Sequence, residues 1–187
     1  MLKSDDNKLR EGCMSSLKET RDDILIRKAS EDDLSAVLAL YSQLGTDDDA
    51  VLSPDEAKKL FTRMKTYPDY TLYVSVFGVT VVGSFALLIM DNLGHKGAPS
   101  GVVEDFVIHQ DWRGKGVGRT MMEAAMSLCA VRGCYKLTLS SNKLRHNAHV
   151  FFKTLGFDVQ GFSYSVPTGT SSILAGLCCE KDRGASS

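Results

Sequence analysis

The spacing of apolar and polar residues changes several times along this chain, and each change marks an element. Ile24-Leu25-Ile26-Arg27 is an apolar run of strand length. Leu34, Val37, Leu38 and Tyr41 then recur at the three- and four-residue spacing of one helical face, with Ser30 ahead of them as a cap. Ser53-Pro54-Asp55-Glu56 combines a capping serine, a proline at the first helical position and a glutamate that reaches back, so a second helix starts there. Ala57, Leu60, Phe61 and Met64 form its inward face. Thr71 to Phe77 and Thr80 to Met90 read as strands joined by a tight turn near Gly78, and Val102 to Ile108 as another. A helix then reaches about Arg132, Tyr135 to Ser140 is β-rich, and Asn147 to Leu155 is a short helix closed by Gly156. A final strand is expected after Gly161, holding Tyr164. The order β-α-α-β-β-β-α-β-α-β predicts an α/β fold, a mixed sheet with helices on both faces.

The two ends read differently. Residues 1–23 are polar and highly charged without a sustained helical stripe, which predicts a mobile extension. Residues 24–167 form the expected folded domain, and 168–187 are Gly/Ser-rich around the apolar run Ile173 to Cys179, a last strand or a flexible tail. With 187 residues, 43% hydrophobic and net charge −1, the chain can bury one sizeable core, and its charge balance implies neither a nucleic-acid nor a membrane partner. The longest apolar stretch, Val79 to Met90, is interrupted by Gly83 and Ser84 and is too short for a bilayer. The N-terminus is charged rather than signal-like, so a cytoplasmic protein is expected. Cys13, Cys129, Cys134, Cys178 and Cys179 are odd in number and form no CxxC pair, which fits a reducing compartment and no metal site. The C-terminal run allows a homodimer.

The chemistry centres on Arg113-Gly114-Lys115-Gly116-Val117-Gly118, between the apolar run ending at Ile108 and a helix. Glycines let the backbone turn tightly and bring unpaired N–H groups to a ligand, and a helix N-terminus adds partial positive charge. Arg113, Lys115 and Arg119 add formal charge, which suits a phosphate or pyrophosphate. Lys115 is followed by Gly116 rather than Ser or Thr, which excludes the P-loop pattern, and the two-residue glycine spacing excludes the dinucleotide fingerprint. What remains is R-x-x-G-x-G.

This loop resembles the pyrophosphate loop of the GNAT superfamily of acetyl-CoA-dependent acetyltransferases. The block Asn147-Ala148-His149-Val150-Phe151-Phe152-Lys153-Thr154-Leu155-Gly156-Phe157 is similar to the last motif of that superfamily. Val103 to Val107 and Gly133 to Leu139 look like the glucosamine-phosphate branch, whereas Ser140 to Phe152 looks more like small-amine acetyltransferases of the aminoalkylphosphonate type. The resemblance implies a mainly antiparallel sheet whose fourth and fifth strands splay apart, with the pantetheine arm of acetyl-CoA between them. It implies cofactor contacts from the backbone of Phe106, Val107 and Ile108, the loop and helix start through Arg113, Gly114, Lys115, Gly116, Val117, Gly118 and Arg119, then Asn142, Asn147 and Phe152. The implied reaction is direct acetyl transfer to a primary amine of a small molecule. A protein N-terminus as acceptor, or a non-catalytic acyl-CoA sensor, are the alternatives.

Such a transfer needs a base for the ammonium, donors for the developing oxyanion and a proton for the leaving thiolate. Glu104 and Asp105 interrupt the fourth strand, and resemblance favours Glu104 as base. Strict alternation groups Glu104 with Phe106 and Ile108, and Asp105 with Val103 and Val107. The Val107 N–H is the expected oxyanion donor. The family commonly has tyrosine where this chain has Phe152, which cannot donate a proton, so Tyr164, His149 or water would protonate the thiolate. Cys129 and Cys134 lie in packed contexts and are not expected to carry an acyl group.

Overall fold

The computed structural model describes residues 23–44 and 52–165. The N-terminal extension before residue 23, the acidic run Asp47 to Asp49 and the apolar run Ile173 to Cys179 lie outside the described residues. Two units divide the chain, one ending at Arg145 and one starting at His146.

The first unit holds strands β1 (Ile24–Lys28), β2 (Tyr70–Phe77), β3 (Thr80–Met90), β4 (Ser100–Ile108) and β5 (Lys136–Leu139), and helices α1 (Leu34–Tyr41), α2 (Pro54–Met64) and α3 (Val117–Val131). The strands lie side by side in chain order. The first three pairings are antiparallel and the last, β4 with β5, is parallel. A parallel pair needs a crossover, and α3 supplies it. The sheet is therefore mixed, as the element order predicts, and mainly antiparallel, as the resemblance implies.

Both faces are covered. Leu34 and Val37 of α1 and Ala57 and Phe61 of α2 pack with Leu72, Val74, Val76 and Ala86 into one core cluster. On the opposite face α3 buries Met121, Met122, Ala125 and Cys129. Close approach there depends on glycine: a Cβ at Gly83 would come within 2.7 Å of both Met121 Sδ and Ser75 Oγ. Helix starts are set locally. Ser53 Oγ accepts from the Glu56 N–H at 3.3 Å, and the Glu56 carboxylate accepts from the Ser53 N–H at 2.9 Å, so the expected capping box forms. Ahead of α1, Asp33 accepts from the Ser30 N–H and hydroxyl at 2.7 and 2.8 Å and from Arg27 at 2.6 and 2.8 Å, tying β1 to the helix.

Two expectations change. Ala86 lies opposite Glu104 and Ser84 opposite Val107, so Asp105 and Phe106 together face the single residue Phe85. This is a β-bulge, and within it Asp105 takes the left-handed conformation (φ 51°) that one class of bulge uses. The surplus residue breaks the two-residue alternation. Glu104 and Val107 share the α1/α2 face, and Phe106 turns toward Phe85 on the other, where the rings lie 6.4 Å apart. The grouping of Glu104 with Phe106 and Ile108 is thereby corrected.

The second unit contains α4 (His146–Thr154). Gly156 has φ 88° and Phe157 N–H returns to the Phe152 carbonyl at 3.2 Å, closing the helix as expected. No strand follows among the described residues: 157–165 carry no ladder, because nothing pairs with this short polar-interrupted run.

Candidate functional site

Pairing between β4 and β5 stops at Val103 and Leu139, while β4 continues from Glu104 to Ile108. Beyond Val103 this edge of β4 has no strand partner among the described residues, the opening that splayed strands would provide. His109 N–H donates to the Val82 carbonyl at 2.9 Å, and N–H directions alternate along a strand. The Val107 N–H therefore points toward β3, which corrects its expected role as oxyanion donor, and those of Phe106 and Ile108 point toward the open edge. Three residues that the sequence offers as equal backbone contacts thus divide, with two facing the opening.

The bulge brings both carboxylates to the α1/α2 face. Asp105 borders a cavity of about 340 Å³ walled by α1, α2 and β2, whose lining is otherwise almost wholly apolar, including Leu38, Leu60, Phe61 and Met64. Glu104 borders a second cavity of about 600 Å³ with Tyr67, Asp69, Met90 and Asp91. Tyr70 stands in the wall of both. Sequence reasoning missed Tyr70, whose only signal is its place at the head of β2, opposite Leu88 on the face that carries Glu104.

These groups feel one another. Apolar surroundings push the Asp105 carboxyl above its ordinary pKa. The Tyr70 hydroxyl is raised first by burial, then by the charges of Asp105 and Glu104, and Tyr41 is raised by burial and Asp105. In the second cavity Asp69 is paired with Arg132, at 2.5 and 2.9 Å.

The glycine loop has the geometry that its composition predicts. Gly114 (φ 76°) and Gly116 (φ 88°) both occupy the left-handed region, and Gly116 is the N-cap of α3. With glycine there, no side chain caps the first turn, so its N–H groups are left to a ligand. A Cβ at Gly114 would meet open space. Arg113, Gly114 and Lys115 are exposed, while Val117 and Gly118 are buried and anchor the helix start. Lys115 Nζ lies 5.1 Å from the Trp112 ring, which packs 4.7 Å from Phe77, and Arg119 pairs with Glu123 at 3.6 Å.

Asn142 shapes the turn after β5: its side-chain oxygen accepts from Leu144 N–H at 2.9 Å and its carbonyl from Arg145 N–H at 3.0 Å. In the second unit Asn147 lies exposed in the first turn of α4, inside the helix rather than at its cap. Phe152 is half-buried, with Phe151 and Phe157 at 5.2 and 5.9 Å. Tyr164 lies outside any strand and is 90% exposed. His149 is half-buried in α4. Burial pushes the Cys129 thiol up to about 12, which suits a packed, unreactive sulfur. Among the described residues no group of three or more potential metal ligands occurs, and no helix is long and apolar enough to cross a membrane.

Known proteins resemble this chain in sequence and in fold. A glucosamine 6-phosphate N-acetyltransferase of Trypanosoma brucei brucei is 34% identical over 80 residues, 41% of this chain and 50% of that protein. The chain spans about half the length of the curated relatives it matches. Among solved structures, an Agrobacterium tumefaciens C58 protein described as an acetyltransferase superposes with a TM-score of 0.72 at 29% identity, over 76% of this chain and 99% of that one. A glucosamine-6-phosphate N-acetyltransferase of Arabidopsis thaliana, at 23% identity and a TM-score of 0.68 over 78% and 98% of the two chains, shares the fold. The model of the acetyltransferase (GNAT) family matches residues 35–157, a span that takes in the bulged β4, the glycine loop and α4, and the chain belongs to that family.

Proposed function

We propose that the protein transfers acetyl from acetyl-CoA to the primary amine of a small molecule by direct attack, with Glu104 as the base. One observation carries this reading: the β4 bulge turns Glu104 and Asp105 to one face at the point where β5 stops pairing, a few residues before a glycine loop whose helix N-terminus is uncapped. The loop from Arg113 to Arg119 would hold the pyrophosphate, and the open edge of β4 would pair with the pantetheine amides through Phe106 and Ile108. Asn142, Asn147 and Phe152 complete the proposed cofactor contacts.

In the reaction the ammonium gives a proton to Glu104, directly or through water, and the neutral nitrogen attacks the thioester carbonyl. The C–N bond forms, the C–S bond breaks, the sulfur leaves as a thiolate that takes up one proton, and the nitrogen gives its second proton to water, for a net release of one proton to solvent. Holding amine and thioester together supplies the proximity term, and the open-edge N–H groups stabilise the oxyanion. Phe152 has no proton to give, so Tyr164, His149 or water would protonate the thiolate. Phe152 also favours a second reading, an acyl-CoA sensor without turnover.

The test is release of coenzyme A from acetyl-CoA by the purified full chain against a panel of amines, with product masses confirmed. Release tied to an amine and reduced about 100-fold or more in Glu104→Gln supports the assignment. Saturable acetyl-CoA binding without release from any amine supports the sensor, and absence of acetyl-CoA binding overturns both.

A further inference from the structure

The two cavities beside the carboxylates differ in chemistry, and the difference bears on the acceptor. The smaller, about 340 Å³, is walled by the half-buried side chains of Leu38, Leu60 and Met64 and by the deeper Val37, Phe61 and Leu72. Asp105 is its single charged lining residue among the described residues. The larger carries Asp69, Asp91 and Glu104, and no Lys or Arg lines it among the described residues. Arg132, which pairs with its lining residue Asp69, is held by both oxygens of that carboxylate. An anionic group entering either cavity meets carboxylates without a compensating cation, and in the smaller one it also loses its water. A cation meets a carboxylate in both.

We propose, resting on the acetyltransferase reading above, that the acceptor is a primary amine with an apolar, ring-sized body and no phosphate or carboxylate. The body fills the cavity between α1, α2 and β2, and the ammonium lies against Asp105. Three facts fit together here. The cavity falls in the size range of small-molecule sites. Its walls are apolar, so an apolar body that leaves water for them is favoured. Tyr70 stands in the wall of this cavity and of the one bordered by Glu104, and Glu104 precedes Asp105 in the chain, so an ammonium at Asp105 is held beside the proposed base. The assignment departs from the sugar phosphate for which the Trypanosoma relative is named, because among the described residues the phosphate would find no cation in either lining.

The experiment uses the full chain with 2-phenylethylamine, glucosamine and glucosamine 6-phosphate, by calorimetric titration and by coenzyme A release. The expected result is saturable binding of 2-phenylethylamine and a kcat/KM at least about tenfold above that for glucosamine 6-phosphate. Asp105→Asn should weaken amine binding about tenfold by removing the counter-charge. Leu60→Trp and, as the milder change, Leu38→Phe should fill the cavity and raise KM for 2-phenylethylamine about fivefold or more, with acetyl-CoA affinity retained. Preference for glucosamine 6-phosphate, or indifference to both cavity variants, overturns the inference while acetyl transfer stands. Binding of 2-phenylethylamine without transfer to any amine supports the ligand class and overturns the acetyltransferase reading. Neither binding nor transfer overturns both.

Discussion

Tyr70 and Asp105 wall the same apolar cavity, and the hydroxyl of one and the carboxyl of the other are both pushed up in pKa by that burial. For Asp105 the sign has a measurable consequence. A carboxyl whose folded pKa is raised contributes stability that is full below its unfolded value, near 3.9, and is lost as pH rises through the folded value. At neutral pH the ionised group lowers stability. Asp105→Asn should raise the melting temperature at pH 7, and the gain should vanish at about pH 3. Thermal melts at the two pH values check it; a variant that melts lower at pH 7 would mean that the carboxylate has a stabilising partner.

The Arg27–Asp33 pair predicts the opposite slope. The Arg27 guanidinium, helped by the Ser30 N–H and hydroxyl, holds the nearly buried Asp33 carboxyl well below the usual range. Its stabilisation is present above the unfolded carboxylate pKa and is lost as pH falls through the folded one. Asp33→Ala removes four hydrogen bonds and leaves their donors short of a partner, an expected loss of about 2 kcal/mol at pH 7 that shrinks in acid. Urea unfolding at pH 7 and in acid measures both terms.

At Gly83 the limit is space. An added methyl meets Met121 Sδ and Ser75 Oγ at 2.7 Å and the Val107 carbonyl at 3.0 Å, so Gly83→Ala should cost about 1–3 kcal/mol of folding stability. Gly78→Ala is the control. Its φ of 58° imposes strain, but nothing lies within 4 Å, so about 1 kcal/mol is expected. Equal midpoints for the two variants in urea would remove the packing argument.

Gly116→Ala separates backbone strain from ligand binding. With φ at 88°, alanine should cost about 1–2 kcal/mol of stability and tilt the first N–H groups of α3. Acetyl-CoA affinity, read by calorimetry, should fall by more than it does for Gly114→Ala, where an added Cβ meets open space and no helix cap is disturbed. Unchanged affinity in both variants would mean that the loop does not hold the cofactor.

Elements set by local chemistry were legible in the sequence. Ser53 to Glu56 announces α2 because capping involves neighbours in the chain, and the loop glycines announce their left-handed conformations because few other residues adopt them. β3 ends where its apolar run ends. Pairing across the sheet was not legible. Two acidic residues inside β4 look like a simple interruption, and only the register against Ala86 and Ser84 reveals that one of them is surplus. The expected strand at Tyr164 failed for the same reason, since a short β-prone run becomes a strand only where a neighbour pairs with it. Glu104 and the loop could be named as candidates from residue type and position. Tyr70 could not, because it joins them through register alone, and neither could the division of backbone donors among Phe106, Val107 and Ile108.

The extra residue at Asp105 also makes chain length matter more than composition in this part of β4. Substitution at 104, 105 or 106 changes one side chain and leaves the others where they are. Deleting Asp105 or Phe106 would leave a single residue opposite Phe85, with position 104 still facing Ala86 and Val107 still facing Ser84, so the bulge itself would be lost while the flanking faces stay. The carboxylates, the ring of Phe106 and the outward N–H groups would then no longer coincide. In descendants of this chain the stretch should drift in letters while keeping its count, and a single-codon loss should be more harmful than any one replacement within it.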